Sequence, residues 1–251
     1  MKPPPVVMVH GAFCGGWVFE GFAEPFVAAG HETHCLDLRA GAAVAGLSMS
    51  DYARRVAAFA ETLKAPPVLI GHSLGGLVCL LGAAQVRTAG VVLLAPSAPW
   101  GVVASTMEEA VSAVALYALG PYWALAIEPE YATFGRYAVN RLPRPERHAL
   151  FGRMGAESGR ALFETLNWWL DPFMTTLARP ERIDAPILAL SGERDAIHPP
   201  LTVAETARRV GAEHVVMEGM SHWLPAEPGW EAVADRCLAW LGAAATPLAA
   251  E

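Results

Sequence analysis

The chain has 251 residues, 53% of them hydrophobic and 17% charged, and carries a formal net charge of −7. That length suits one sizeable core, often a single α/β domain, and so high an apolar content excludes a disordered chain. The excess of acid argues against nucleic acid or an anionic membrane as the main partner.

Residues 1–5 lead straight into an apolar run with no cleavage site behind a long apolar core, so no signal peptide is read and a cytoplasmic location is expected. Residues 5–10 (PVVMVH) are short, β-branched and nearly all apolar, which suits a strand buried on both faces. A helix is expected over 18–29, ended by Gly30, and a second strand over 31–38. Ser48 and Asp51 can open a helix that continues over 52–64. Residues 67–71 (PVLIG) form a third strand that runs into a helix beginning just after Ser73. Residues 90–95, 185–191 and 214–218 read as three more strands, and 228–241 as a closing helix. Strands alternating with helices predict a mostly parallel sheet of about six strands, flanked by helices on both faces.

Between residues 97 and 184 the alternation stops. The insert reads as a helical cap after the fourth strand, leaving 1–96 and 185–243 as the core and 244–251 as a flexible tail. Eight of the chain's 13 Trp and Tyr residues fall in this insert, Trp123 and Trp168 among them. They would line an apolar pocket or, alternatively, make the cap's own core. Within it, residues 110–127 hold no charge, near the length of a membrane span. Gly120-Pro121 interrupts that run, so two short apolar helices over a pocket are expected rather than a span. Cys14, Cys35, Cys79 and Cys237 lack CxxC spacing and read as buried reduced thiols.

Gly71-His72-Ser73-Leu74-Gly75 fits G-x-S-x-G between a buried strand and a helix. A turn tight enough to lift a serine Oγ clear of the backbone needs flanking positions without bulk. Serine is a weak nucleophile and needs a base. His222, after the last strand, is the candidate, and Asp195, after the fifth, is the carboxylate that would orient it. Glu193 competes with Asp195 but reads as solvent-facing. His10 reads as a loop-fixing residue, His72 as pointing away from Ser73, and His198 as incidental. The glycine-rich loop His10-Gly11-Ala12-Phe13-Cys14-Gly15-Gly16-Trp17 would supply backbone N–H groups to an oxyanion, with Ala12 and Leu74 as the natural pair.

Together, His10-Gly11, the G-x-S-x-G elbow, Gly192-x-x-Asp195 and Ser221-His222 resemble the α/β-hydrolase superfamily over nearly the whole chain. The HGAFCGGW loop is similar to that of plant methyl esterases and hydroxynitrile lyases. The resemblance implies a Ser73–His222–Asp195 triad, an oxyanion hole of Ala12 and Leu74, and a cap placed as in that superfamily. Serine at position 73 argues against the dehalogenase and epoxide-hydrolase branches. Only five residues precede the first strand, so six strands are expected rather than eight. The expected activity is hydrolysis of a small to medium, largely apolar carboxylic ester, a small-molecule substrate, with Phe13, Trp123, Trp168 and Trp223 as substrate contacts and no metal or organic cofactor. Its rivals are an acyl-CoA or acyl-carrier-protein thioesterase and a non-turnover ligand receptor of the same fold.

Overall fold

Val6-Val7-Met8-Val9 forms β1 (Val6–Val9), with all four side chains fully buried. Successive side chains leave opposite faces of a strand, and here each face meets its own core. Val7 and Val9 belong to one apolar cluster, Val6 and Met8 to the other. A strand covered on both faces has no polar side to alternate with, which is why it reads as an unbroken apolar run. The computed structural model describes residues 2–107 and 119–244.

The other strands of the main sheet are β2 (Thr33–Leu36), β3 (Val68–His72), β4 (Gly90–Leu94), β5 (Ile187–Gly192) and β6 (Glu213–Met217). All six pair in parallel, in the order β2-β1-β3-β4-β5-β6. One face carries α2 (Met49–Glu61), α3 (Leu74–Ala83) and α6 (Pro200–Val210); the other carries α1 (Glu24–Ala28) and α7 (Trp230–Ala244). The longer helices among the described residues of the insert are α4 (Arg144–Phe151) and α5 (Gly159–Leu166). Val9 faces Leu36 on one side and Gly71 on the other. The chain thus moves outward from β1 to β2 and returns to the opposite side of β1 as β3. That reversal opens a crevice at the C-terminal ends of β1 and β3, where α/β sheets place their ligands.

The expected α2 start is present. Ser48 Oγ accepts the Asp51 N–H at 3.1 Å, and Asp51 Oδ2 accepts the Ser48 N–H at 2.8 Å, satisfying two end donors of the helix reciprocally.

Other expectations are corrected. The helix expected over 18–29 is a 3₁₀ turn (Gly16–Phe19) followed by the five-residue α1, whose Pro25 sits in the first turn, where it suits a new start. No helix was expected at α6, although Pro199-Pro200 precede it and Gly211 ends it at φ +68. Cys35 is exposed, because β2 is an edge strand; Cys14, Cys79 and Cys237 are buried, and all four thiols are free.

The insert mixes helix with other structure. Ala126–Ile127 pairs antiparallel with Glu157–Ser158, and a π-helical turn (Phe134–Ala138) precedes α4. Of the apolar stretch expected to form two helices, residues 110–118 lie outside the described residues. The remainder is a 3₁₀ turn (Tyr122–Ala124) and a strand of the ribbon. Residues 245–251 of the expected tail also lie outside the described residues. Among the described residues no helix is long and apolar enough to cross a membrane.

Candidate active site

Ser73 stands between β3 and α3 at φ 54, ψ −123, a left-handed backbone rare for a side-chain-bearing residue. Two close approaches hold it there. A Cβ on Gly71 would fall 2.2 Å from the Gly75 carbonyl oxygen, and one on Gly75 would fall 2.2 Å from that of Val9. The Ser73 N–H donates to Leu94 O at 2.9 Å, and its carbonyl accepts from Gly76 and Ser97. The sheet and helix therefore over-determine a strained turn at Ser73.

Ser73 Oγ lies 3.1 Å from His222 Nε2, and His222 Nδ1 lies 2.8 Å from Asp195 Oδ2. All three residues are largely buried. Burial alone would raise the Asp195 pKa, but the charge and hydrogen bond of His222, with help from His198, hold it below its ordinary value. An ionised Asp195 accepts from Nδ1–H, which leaves Nε2 free to accept the serine proton. The Ile197 and His198 amides donate to Asp195 Oδ1 at 2.8 and 3.0 Å and fix the carboxylate. Glu193 is turned away: half-exposed, it accepts the Gly219 N–H at 2.7 Å.

The loop after β1 lies against the nucleophile, since a Cβ on Gly11 would meet Ser73 Cβ at 3.0 Å. His10 holds this loop. Its Nε2 accepts from Leu38 N–H at 3.0 Å, so Nδ1 carries the proton and donates to Gly11 O at 2.8 Å. Among the described residues, no backbone acceptor takes the N–H of Ala12 or of Leu74. Phe13 differs: its N–H donates to Glu157 Oε2 at 3.1 Å.

Three residues, two near the imidazole and one at the loop after β1, were misjudged or missed in the sequence. His198, expected to be incidental, packs its ring edge-on to His222 at 5.2 Å and meets Ser97 Oγ through Nε2 at 3.0 Å. Glu227, fully buried, accepts the Ser221 N–H at 2.5 Å and so braces the His222 loop; burial pushes its pKa up. Glu157 is the third. No sequence pattern marks any of them; Glu157 and His198 act through contacts distant along the chain, and Glu227 through a loop contact six residues away. His72 points away from Ser73 as expected, donating from Nε2 to His222 O at 2.9 Å. Burial first, and then the neighbouring His222, push both His72 and His198 down to about 3, so both rings are neutral.

The four expected substrate contacts divide. Phe13 is partly buried, in the loop beside Ser73, with φ +65. Trp123 is 44% exposed and rests on Phe163, and Trp168 packs against Trp100. Trp223 is buried behind His72, edge-on at 5.4 Å. A surface groove of about 320 Å³ beside Leu81, Phe173 and Arg182 shares no residue with this site.

Solved structures with this fold include an esterase from Thermogutta terrifontis (23% identity, TM-score 0.70, covering 98% of this chain and 92% of that one). A monoacylglycerol lipase from Paleococcus ferrophilus is similar at 21% identity and TM-score 0.69, with 97% of each chain covered. A methylesterase from Arabidopsis is similar at 14% identity and TM-score 0.70, covering 95% of this chain and 99% of that one. A search of curated sequences gives no match. Residues 6–236 match the alpha/beta hydrolase family, and the chain belongs to it.

Proposed function

We propose that the protein is a serine carboxylesterase acting on a small to medium, largely apolar ester. The observation that carries this reading is the hydrogen-bonded chain Ser73–His222–Asp195 lying beside the Ala12 and Leu74 amides. Ser73 Oγ attacks the ester carbonyl while His222 Nε2 takes its proton. The resulting oxyanion accepts from the Ala12 and Leu74 N–H groups, each such donor being worth about 10²–10³ in rate. Collapse expels the alkoxide, which takes the proton from His222. Water then adds to the acyl group on Ser73, giving a proton to His222, and Ser73 leaves with that proton as the acid departs. Phe13, Trp123 and Trp168 would form the apolar wall, with Trp223 supporting His72 from behind. Esterase and lipase appear in the names of similar structures, which supports the class of bond. We also propose a cytoplasmic location, which the four free thiols support.

The test is a panel of esters and thioesters graded in acyl length, run with the native protein and Ser73→Ala. Native turnover of short and medium esters, a loss on the order of 10⁴-fold or more in Ser73→Ala, and fluorophosphonate labelling of Ser73 alone are expected. Labelling of another serine, or an active alanine variant, would remove the reading.

A further inference from the structure

Glu157 is an acid in a segment otherwise rich in arginine, yet its side chain is 1% exposed. Both oxygens are used. Oε1 accepts from the Tyr52 hydroxyl at 2.5 Å and from Ser158 N–H at 2.8 Å, while Oε2 accepts from Phe13 N–H at 3.1 Å. The Arg39 guanidinium lies 3.6 Å from Oε2 and donates to the carbonyls of Cys14, Gly155 and Ala156. The Phe13 carbonyl is held as well, accepting the Gly155 N–H at 3.0 Å. The insert thus grips both polar groups of Phe13, the residue that follows Ala12.

We propose that Glu157 is a positioning residue for the oxyanion hole. Phe13 sits at φ +65, a conformation a phenylalanine adopts only when its surroundings hold it. Two adjacent N–H groups, those of Ala12 and Phe13, leave the loop near Ser73. The carboxylate takes the second and leaves the first as the loop's donor toward the substrate oxygen, aimed in one direction. Arg39 neutralises the carboxylate, so its charge does not oppose the oxyanion forming nearby. Glu157 itself touches no substrate; it acts through the peptide it holds. The ribbon Ala126–Ile127 with Glu157–Ser158 accordingly makes the insert part of the catalytic geometry. This inference rests on the esterase reading.

Glu157→Gln replaces a charged acceptor facing donors on two sides with one amide oxygen and one NH₂, so Phe13 loses its charge-assisted acceptor. Tyr52→Phe removes a bond from the same buried network and leaves Phe13 held. Both are assayed beside the native protein on p-nitrophenyl butyrate, with a boronic acid as mimic of the tetrahedral intermediate. Glu157→Gln should lower kcat about tenfold with KM within about twofold, and weaken boronic acid inhibition by the same factor. Tyr52→Phe should lose thermal stability while keeping kcat within about twofold of native. Should Glu157→Gln not fold, Glu157→Asp, which keeps the charge but falls a methylene short of Phe13, should show the same kcat and boronate losses. Native kcat in the folded Glu157 variant, or an equal kcat loss in Tyr52→Phe, overturns the inference and leaves the esterase reading standing. A native protein that neither turns over esters nor labels at Ser73 overturns both.

Discussion

The sheet and the insert obey different rules of construction. In the sheet, six strands of four to six residues pair in continuous parallel register, and β1, β3, β4 and β5 are buried throughout. Among the described residues of 97–184, strands are two residues long, helical pieces are three to eight, and one turn is π-helical. Nine of the twelve exposed large hydrophobic side chains lie there among the described residues, so its aromatics do not simply make a core of their own. Polar contacts repeatedly join the insert to the core: Glu157 to Phe13, Glu164 to the Met49 amide, Arg153 to Glu20, Arg141 beside Glu227. The sheet places Ser73, Asp195 and His222 at or just past strand ends, whereas the insert meets the core through a few charged side chains.

The largest effects should come from the ends of the strands. Under the triad reading, Asp195→Asn lowers kcat by about 10⁴-fold, as loss of the orienting carboxylate disturbs the tautomer. Glu193→Gln, two residues away on the same loop, should change kcat less than about threefold, since Glu193 braces only the Gly219 turn. Reversed outcomes would reassign the acid. The acid limb of kcat/KM should follow a single proton: burial holds His72 and His198 down to about 3, so both are already neutral as pH falls, and protonation of the base alone removes activity. A two-proton limb would bring His198 into the chemistry.

A smaller contrast concerns stability. Gly75→Ala drives a methyl to 2.2 Å from Val9 O at the junction of β1 and α3, whereas a Cβ on Gly155 in the insert meets nothing within 4 Å. Gly75→Ala should cost about 3 kcal/mol in chemical denaturation, and Gly155→Ala should stay within about 0.5 kcal/mol of native. Similar costs at both sites would mean that the insert is packed as tightly as the sheet.

That contrast also explains what was legible in the sequence. All six strands, Ser73 in its elbow, and the later Asp195 and His222 follow from short-range pattern: apolar runs, Gly-x-Ser-x-Gly, and positions just past strand ends. Two of the residues that went unread act across long sequence gaps. Glu157 meets Phe13 from 144 residues away, and His198 meets Ser97 from 101. α6 went unread because its signals lie at its ends, in Pro199-Pro200 and Gly211, directly behind the loop that carries Asp195. The insert's ribbon is too short for period-2 alternation to appear at all.

The smallest expected effect bears on thioesters. Residues 136–160 hold six arginines against Glu146 and Glu157, formally 6 − 2 = +4, while the rest of the chain is −7 − 4 = −11. A phosphate-bearing acyl carrier could use such a surface, since arginine grips phosphate in a bidentate manner. Four of these arginines are turned instead to the protein's own groups. Arg147 donates to the Leu142 and Gly135 carbonyls, Arg153 pairs with Glu20, Arg160 with Glu164, and Arg141 approaches Glu227. Attraction between exposed charges is screened over about 8 Å at physiological ionic strength, so a carrier held by them would lose affinity as salt rises. Raising salt should therefore change kcat/KM for a CoA thioester no more than for a neutral ester of the same acyl group. Replacing Arg144 and Arg147 with glutamine should leave that ratio within about twofold. A steep salt dependence confined to the thioester, and abolished in that double variant, would show the insert gripping phosphate and would move the reading from ester to thioester.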